Sequence, residues 1–77
     1  MTIDEFMRDI APKMRPGYVA MDGDKIWFWY SEEPVKYWFE GYWGACITTP
    51  VIRLNNIFDI IPVDDWETSL RKVGGNE

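Results

Sequence analysis

The stretch Tyr18-Val19-Ala20-Met21-Asp22-Gly23-Asp24-Lys25-Ile26-Trp27-Phe28-Trp29-Tyr30 decides how this chain folds. Two short apolar runs flank Asp22-Gly23, a pair suited to the positive φ angles of a tight turn, so Tyr18–Met21 and Lys25–Tyr30 form an antiparallel hairpin. In the second strand alternate residues face opposite sides. Ile26, Phe28 and Tyr30 share one face, and Lys25, Trp27 and Trp29 share the other. Both faces are aromatic, which is unusual for a sheet with one solvated side.

Downstream, Ser31 to Pro34 carries turn chemistry, and Val35 to Phe39 resumes the β-branched and aromatic pattern until Glu40 and Gly41 interrupt it. Val35, Tyr37 and Phe39 alternate with Lys36, Trp38 and Glu40, repeating the division of the first hairpin. Tyr42 to Thr48 forms a further strand weakened by Gly41 and Gly44. Val51 to Leu54 fits a strand or a helical turn equally. Asn55-Asn56 marks a turn before Ile57 to Ile61, which reads as a strand leading to Pro62.

Upstream, Thr2 and Glu5 have capping-box spacing, and Ile3, Phe6, Met7, Ile10, Ala11 and Met14 follow at helical intervals. An amphipathic helix therefore starts at Thr2 and ends between Ala11 and Arg15, where Pro12, Pro16 and Gly17 stop it. At the other end, Asp64 with Glu67 repeats the capping geometry. Trp66, Leu70 and Val73 share a helical face, Arg71 and Lys72 suit the negative end, and Gly74 suits the position after it. This predicts a C-terminal helix of about two turns from Val63, with residues 75–77 frayed. The expected architecture is α+β: one domain over residues 1–77, a small antiparallel sheet of three to five strands, and an N-terminal and a C-terminal helix packed on it.

Seventy-seven residues are near the lower limit for an independent core. Five Trp, four Tyr and four Phe are the main source of burial, since each can bury roughly 150 to 250 Å². Thirteen acidic against eight basic residues give a net charge of −5, which repels phosphate backbones and anionic membranes. The apolar runs are too short to span a bilayer. A lone Cys46 and no signal-like segment fit a reduced, cytoplasmic protein.

The chain has no histidine and one cysteine. That removes the commonest general base, the triads built on it and the cysteine-rich zinc sites. Neither phosphate-binding glycine motif occurs. Asp22-Gly23-Asp24 supplies part of a calcium loop without its later ligands or closing Glu, and reads as a hairpin turn. Glu32-Glu33 reads as turn sequence and Asp64-Asp65 as a helix start. Cys46, among Ala45, Ile47 and aromatics, reads as a small buried hydrophobe. The sequence thus argues against an enzyme and requires no metal or cofactor.

If helices cover the Ile26, Phe28, Tyr30, Val35, Tyr37 and Phe39 face, Trp27, Trp29 and Trp38 remain on an opposite face, rimmed by Lys25, Lys36 and Glu40. Trp and Tyr dominate binding energy at interfaces, and a large exposed apolar patch marks a partner site. These six residues form the candidate binding surface. Loops, helices or a second copy of the chain covering that face fit the sequence equally well.

The segment Arg15-Pro16-Gly17-Tyr18-Val19-Ala20-Met21-Asp22, the run Trp27 to Tyr30, and Ile61-Pro62-Val63-Asp64-Asp65-Trp66 with Ser69-Leu70 resemble small uncharacterised proteins of tailed phages and prophages. The resemblance spans most of the chain but not Tyr42 to Asn56. It implies a compact accessory protein in a bacterial cytoplasm that inhibits a host or defence protein. The two-sided aromatic strands, the negative charge and the missing catalytic groups make the expected function protein binding, with aromatic anchors and an acidic steering rim. The alternative is a small-ligand binder whose tryptophans stack on a sugar or nucleobase. Mimicry of nucleic acid by the carboxylates is disfavoured, because Arg or Lys accompanies the acids along much of the chain.

Overall fold

A computed structural model describes residues 1–46 and 48–74. Helix α1 spans Ile3–Asp9 and opens with the expected capping box: Glu5 N donates to Thr2 Oγ1 at 3.1 Å and Thr2 N to Glu5 Oε1 at 2.8 Å. Pro12 ends the α-helical pattern without ending the turn, because a proline is tolerated at the start of a 3₁₀ segment, here Ala11–Lys13. Ile3 and Phe6 point into the core.

Strands β1 (Gly17–Met21) and β2 (Trp27–Tyr30) form the central hairpin, with Tyr18 opposite Tyr30 and Met21 opposite Trp27. The turn departs from expectation in one detail. Lys25, not Gly23, takes the left-handed conformation, with φ 72°. Asp22 N donates to Ile26 O and Lys25 N to Asp22 O, giving a three-residue loop closed by a left-handed residue. Strand β3 (Val35–Tyr37) pairs with β4 (Tyr42–Gly44) in a separate two-stranded hairpin. Strand β5 (Val51–Arg53) takes the free edge of β2, and Leu54–Asn56 continues it as a 3₁₀ turn, so both readings of Val51 to Leu54 are used in succession.

Four strands thus form one antiparallel sheet in the order β5-β2-β1-β6, where β6 is Arg71–Val73. The expected C-terminal helix is absent. Trp66–Thr68 is a single 3₁₀ turn capped by Asp65, not Asp64, whose side chain accepts from Glu67 N at 3.1 Å. The buried Ser69 then redirects the chain: its hydroxyl accepts from Met21 N at 2.8 Å and donates towards Trp66 O or Met21 O. Val73 settles opposite Gly17. Pairing along Gly17–Val19 satisfies backbone groups of a buried strand that a helix in this position would leave open. Trp66 and Leu70 still pack against the core, but from a turn and its exit rather than from a helix.

Three further expectations are corrected. Phe58 and Ile60 pack inward from an irregular segment, with Ile61 N donating to Met1 O, so no strand forms over Ile57 to Ile61. The strand expected from Tyr42 to Thr48 is confined to Tyr42–Gly44, and Ile47 lies outside the described residues, as do residues 75–77 and the fraying expected of them. Cys46 is exposed, with its Sγ 3.3 Å from Thr48 Oγ1.

The sheet has a core on each side. Val19, Met21, Trp27, Trp29 and Val73 meet Ile3, Phe6, Ala11, Leu54 and Ile60 on the α1 side. Ala20, Phe28 and Tyr30 meet Trp43, Ala45, Trp66 and Leu70 on the other. The alternation read from the sequence holds, but the assignment of its two faces is reversed. The two indoles, the largest apolar surfaces in β2, go to the side that α1 and residues 54–63 cover, leaving Trp27 0% and Trp29 5% exposed. The smaller rings are covered by the second hairpin.

Candidate functional site

The second hairpin is where apolar surface remains unburied. Pro34, which lacks an amide donor, closes the link from β2, and β5 rather than β3 takes the neighbouring edge of β2. Because, among the described residues, β3 and β4 pair only with each other, the hairpin stands beside the sheet instead of extending it. It is anchored at its base. Trp43, 8% exposed, sends its indole N–H to Trp66 O at 3.2 Å, and the two rings meet edge to face with centroids 6.2 Å apart.

A second anchor comes from the first hairpin. Trp43 N donates to Asp22 Oδ1 at 2.9 Å, and Gly23 N donates to Gly41 O at 2.7 Å. Gly23 is needed for that approach, since a Cβ there would stand 2.8 Å from Gly41 O. Burial raises the pKa of Asp22. The Trp43 amide opposes that rise, and the nearby Asp24 charge adds to it. Burial, helped by the charge on Asp22, also pushes the Tyr30 phenol well above its ordinary value.

From this base the chain turns over residues 38–41, with Glu40 N and Gly41 N both donating to Tyr37 O and Gly41 at φ 81°. Trp38 and Phe39 therefore belong to the turn and not to a strand. Their rings stack on each other at 3.8 Å, and they are 59% and 83% exposed. Tyr37 and Tyr42 pair across the hairpin at 5.5 Å and are exposed, as is Val35. Lys36, Tyr37, Trp38, Phe39 and Glu40 line one depression. Glu40 also lines a second, wider one of about 500 Å³ with Asp22, Asp24 and Tyr42.

Of the six candidate residues, the structure brings together Lys36, Trp38 and Glu40. It does not join Trp27 and Trp29 to them, because both are sealed in the α1-side core; the tryptophan face expected across the two hairpins does not form. Lys25 lies in the first hairpin's turn. Lys36 is turned back to the body, its Nζ 3.5 Å from Glu67 O and 6.0 Å from the Trp43 ring centre.

Sequence reasoning missed Tyr37, Phe39 and Tyr42 by extending the strand through Phe39. The signal was Glu40-Gly41: a left-handed glycine there closes a four-residue loop and places Trp38-Phe39 in it.

Among the described residues no group of three or more His, Cys, Asp or Glu is placed to hold a metal ion, and Asp22, Asp24 and Glu40 line the wider depression. Among the same residues no helix is long and apolar enough to cross a membrane. Comparison with family models, curated proteins and solved structures finds no match in any of the three.

Proposed function

We propose that the chain is a non-catalytic protein-binding module that docks through the tip of its second hairpin, with Trp38 and Phe39 as anchors and Tyr37, Tyr42 and Val35 around them. The observation that carries this is the exposure of two stacked rings on a hairpin fastened at its base by Trp43. Because Trp38 and Phe39 already stack on each other in the free chain, less side-chain ordering accompanies association than two unstacked rings would need.

Burying both rings removes roughly 300 Å² of apolar surface, or about 8 kcal/mol gross at 25 cal/mol per Å². Association costs about 4 to 15 kcal/mol in lost rigid-body freedom. The two rings alone therefore make at most a weak complex, and the surrounding tyrosines and charged side chains must add to it. The resemblance to phage and prophage proteins would make the partner a bacterial host or defence protein.

Stacking on a sugar or nucleobase is the weaker reading, because Trp38 already spends one ring face on Phe39. The test is affinity capture from bacterial lysate with the wild-type chain and with Trp38→Ala/Phe39→Ala, washed at low and high salt. A protein retained at high salt by the wild type and lost by the variant, with the variant's melting unchanged, is the expected result. Equal capture by both chains would reject the hairpin as the docking surface.

A further inference from the structure

We infer that the surface this hairpin docks onto is an apolar cleft with a cationic rim, in which arginine or lysine side chains of a protein partner face Asp22, Asp24 and Glu40. This rests on the docking role proposed for the hairpin and specifies the chemistry of its partner. The aromatic and the acidic surfaces are continuous, since Glu40 lines both depressions and the Tyr37–Tyr42 ring pair joins them. A body seated on Trp38 and Phe39 therefore also covers the concavity beside Tyr42.

The charge balance of that footprint is one-sided. Among the described residues three carboxylates line the two depressions against one lysine, Lys36, whose ammonium is directed at Glu67 O and the Trp43 ring. Asp22 is held in place by its bond to Trp43 N, and Asp24 by accepting from Ile26 N at 3.2 Å, so two of the three carboxylates are positioned before any partner arrives. An acidic partner surface would bring like charges together as the rings became buried. A neutral one would strip water from the carboxylates without replacing it. A cationic rim does neither, and the exposed tyrosines offer its guanidinium or ammonium groups a ring face as well.

The experiment selects binders from a random peptide library on the immobilised full chain at physiological salt. The selected peptides are then titrated against wild type, Trp38→Ala/Phe39→Ala, Asp24→Asn/Glu40→Gln, and the control Asp59→Asn/Asp64→Asn, which changes net charge equally elsewhere. Asn at position 24 keeps the acceptor for Ile26 N. The expected result is peptides that combine aromatic or aliphatic residues with Arg or Lys and lose binding to the ring variant. They should bind roughly tenfold more weakly to Asp24→Asn/Glu40→Gln, the combined effect of two partly screened ion pairs, and normally to the control.

Peptides sensitive to the ring variant but without basic enrichment, or equally affected by the two charge variants, overturn the cationic rim and leave the docking role standing. Peptides indifferent to the ring variant, or a failure to select any, overturn both.

Discussion

Asp22 joins the two hairpins through a single carboxylate, and that makes its substitution informative. Asp22→Ala removes the acceptor of Trp43 N in a nearly buried residue. An unsatisfied buried amide costs about 1 to 3 kcal/mol. In a domain of this size that lowers the melting temperature by on the order of 10 °C.

Asp22→Asn keeps an acceptor oxygen and removes the partly desolvated charge, so it should melt no lower than the wild type at neutral pH. The pH dependence has a definite sign. Burial raises the folded-state pKa of Asp22 above its ordinary value of 3.8, so between those two values the folded chain holds more protons than the unfolded one. The stabilisation from protonating Asp22 is fully present below the unfolded pKa and is lost as pH rises through the folded pKa. Asn cannot titrate, so its advantage over the wild type should be largest at neutral pH and shrink as the pH falls into the acid range. Paired thermal melts from neutral pH downward measure that difference while carboxylates that do not interact with Asp22 cancel, and the Asp24 repulsion counts as part of the Asp22 effect. An Asn variant less stable than wild type at neutral pH, or an advantage that grows with acid, would refute this account of Asp22.

Three further substitutions test the same framework. Lys25→Gly should stabilise the chain by about 0.5 to 1 kcal/mol in denaturant melts, because it relieves a left-handed non-glycine residue at φ 72°. Gly17→Ala should destabilise by about 1 to 3 kcal/mol, since its Cβ would stand 2.5 Å from Tyr30 O and 2.6 Å from Trp29 Nε1. Ser69→Ala should cost about 1 to 3 kcal/mol by leaving Met21 N without its partner, and hydrogen exchange at the Met21 amide should accelerate with it.

The local signals that survived in the fold are those carried by neighbouring residues. The Thr2–Glu5 box and the two-sided alternation of Trp27 to Tyr30 depend on chemistry within a few positions and appear in the structure; the reversal after Met21 appears too, though a left-handed Lys25 rather than Asp22-Gly23 closes it. Signals that depend on a distant partner misled. The Asp64 to Gly74 segment has good helix punctuation, yet its fate is decided by Met21 and the open edge of β1, more than forty positions away. Alternation separates Trp27 and Trp29 from Phe28 and Tyr30, but nothing local says which set α1 will cover. The candidate site was half legible for a related reason. Lys36, Trp38 and Glu40 were identified through an assumed shared sheet, whereas it is the Glu40-Gly41 turn that puts Trp38 and Phe39 at an exposed tip.

The measurement closest to the central claim is hydroxyl-radical footprinting of the chain, free and in complex with the protein it captures. In the free chain Trp38, Phe39, Tyr37 and Tyr42 should oxidise readily, and Trp27 and Trp29 should resist, as their burial requires. In the complex the four hairpin residues should become protected together. If Trp38 and Phe39 stay as reactive in the complex as in the free chain while protection falls elsewhere, the second hairpin is not the docking surface.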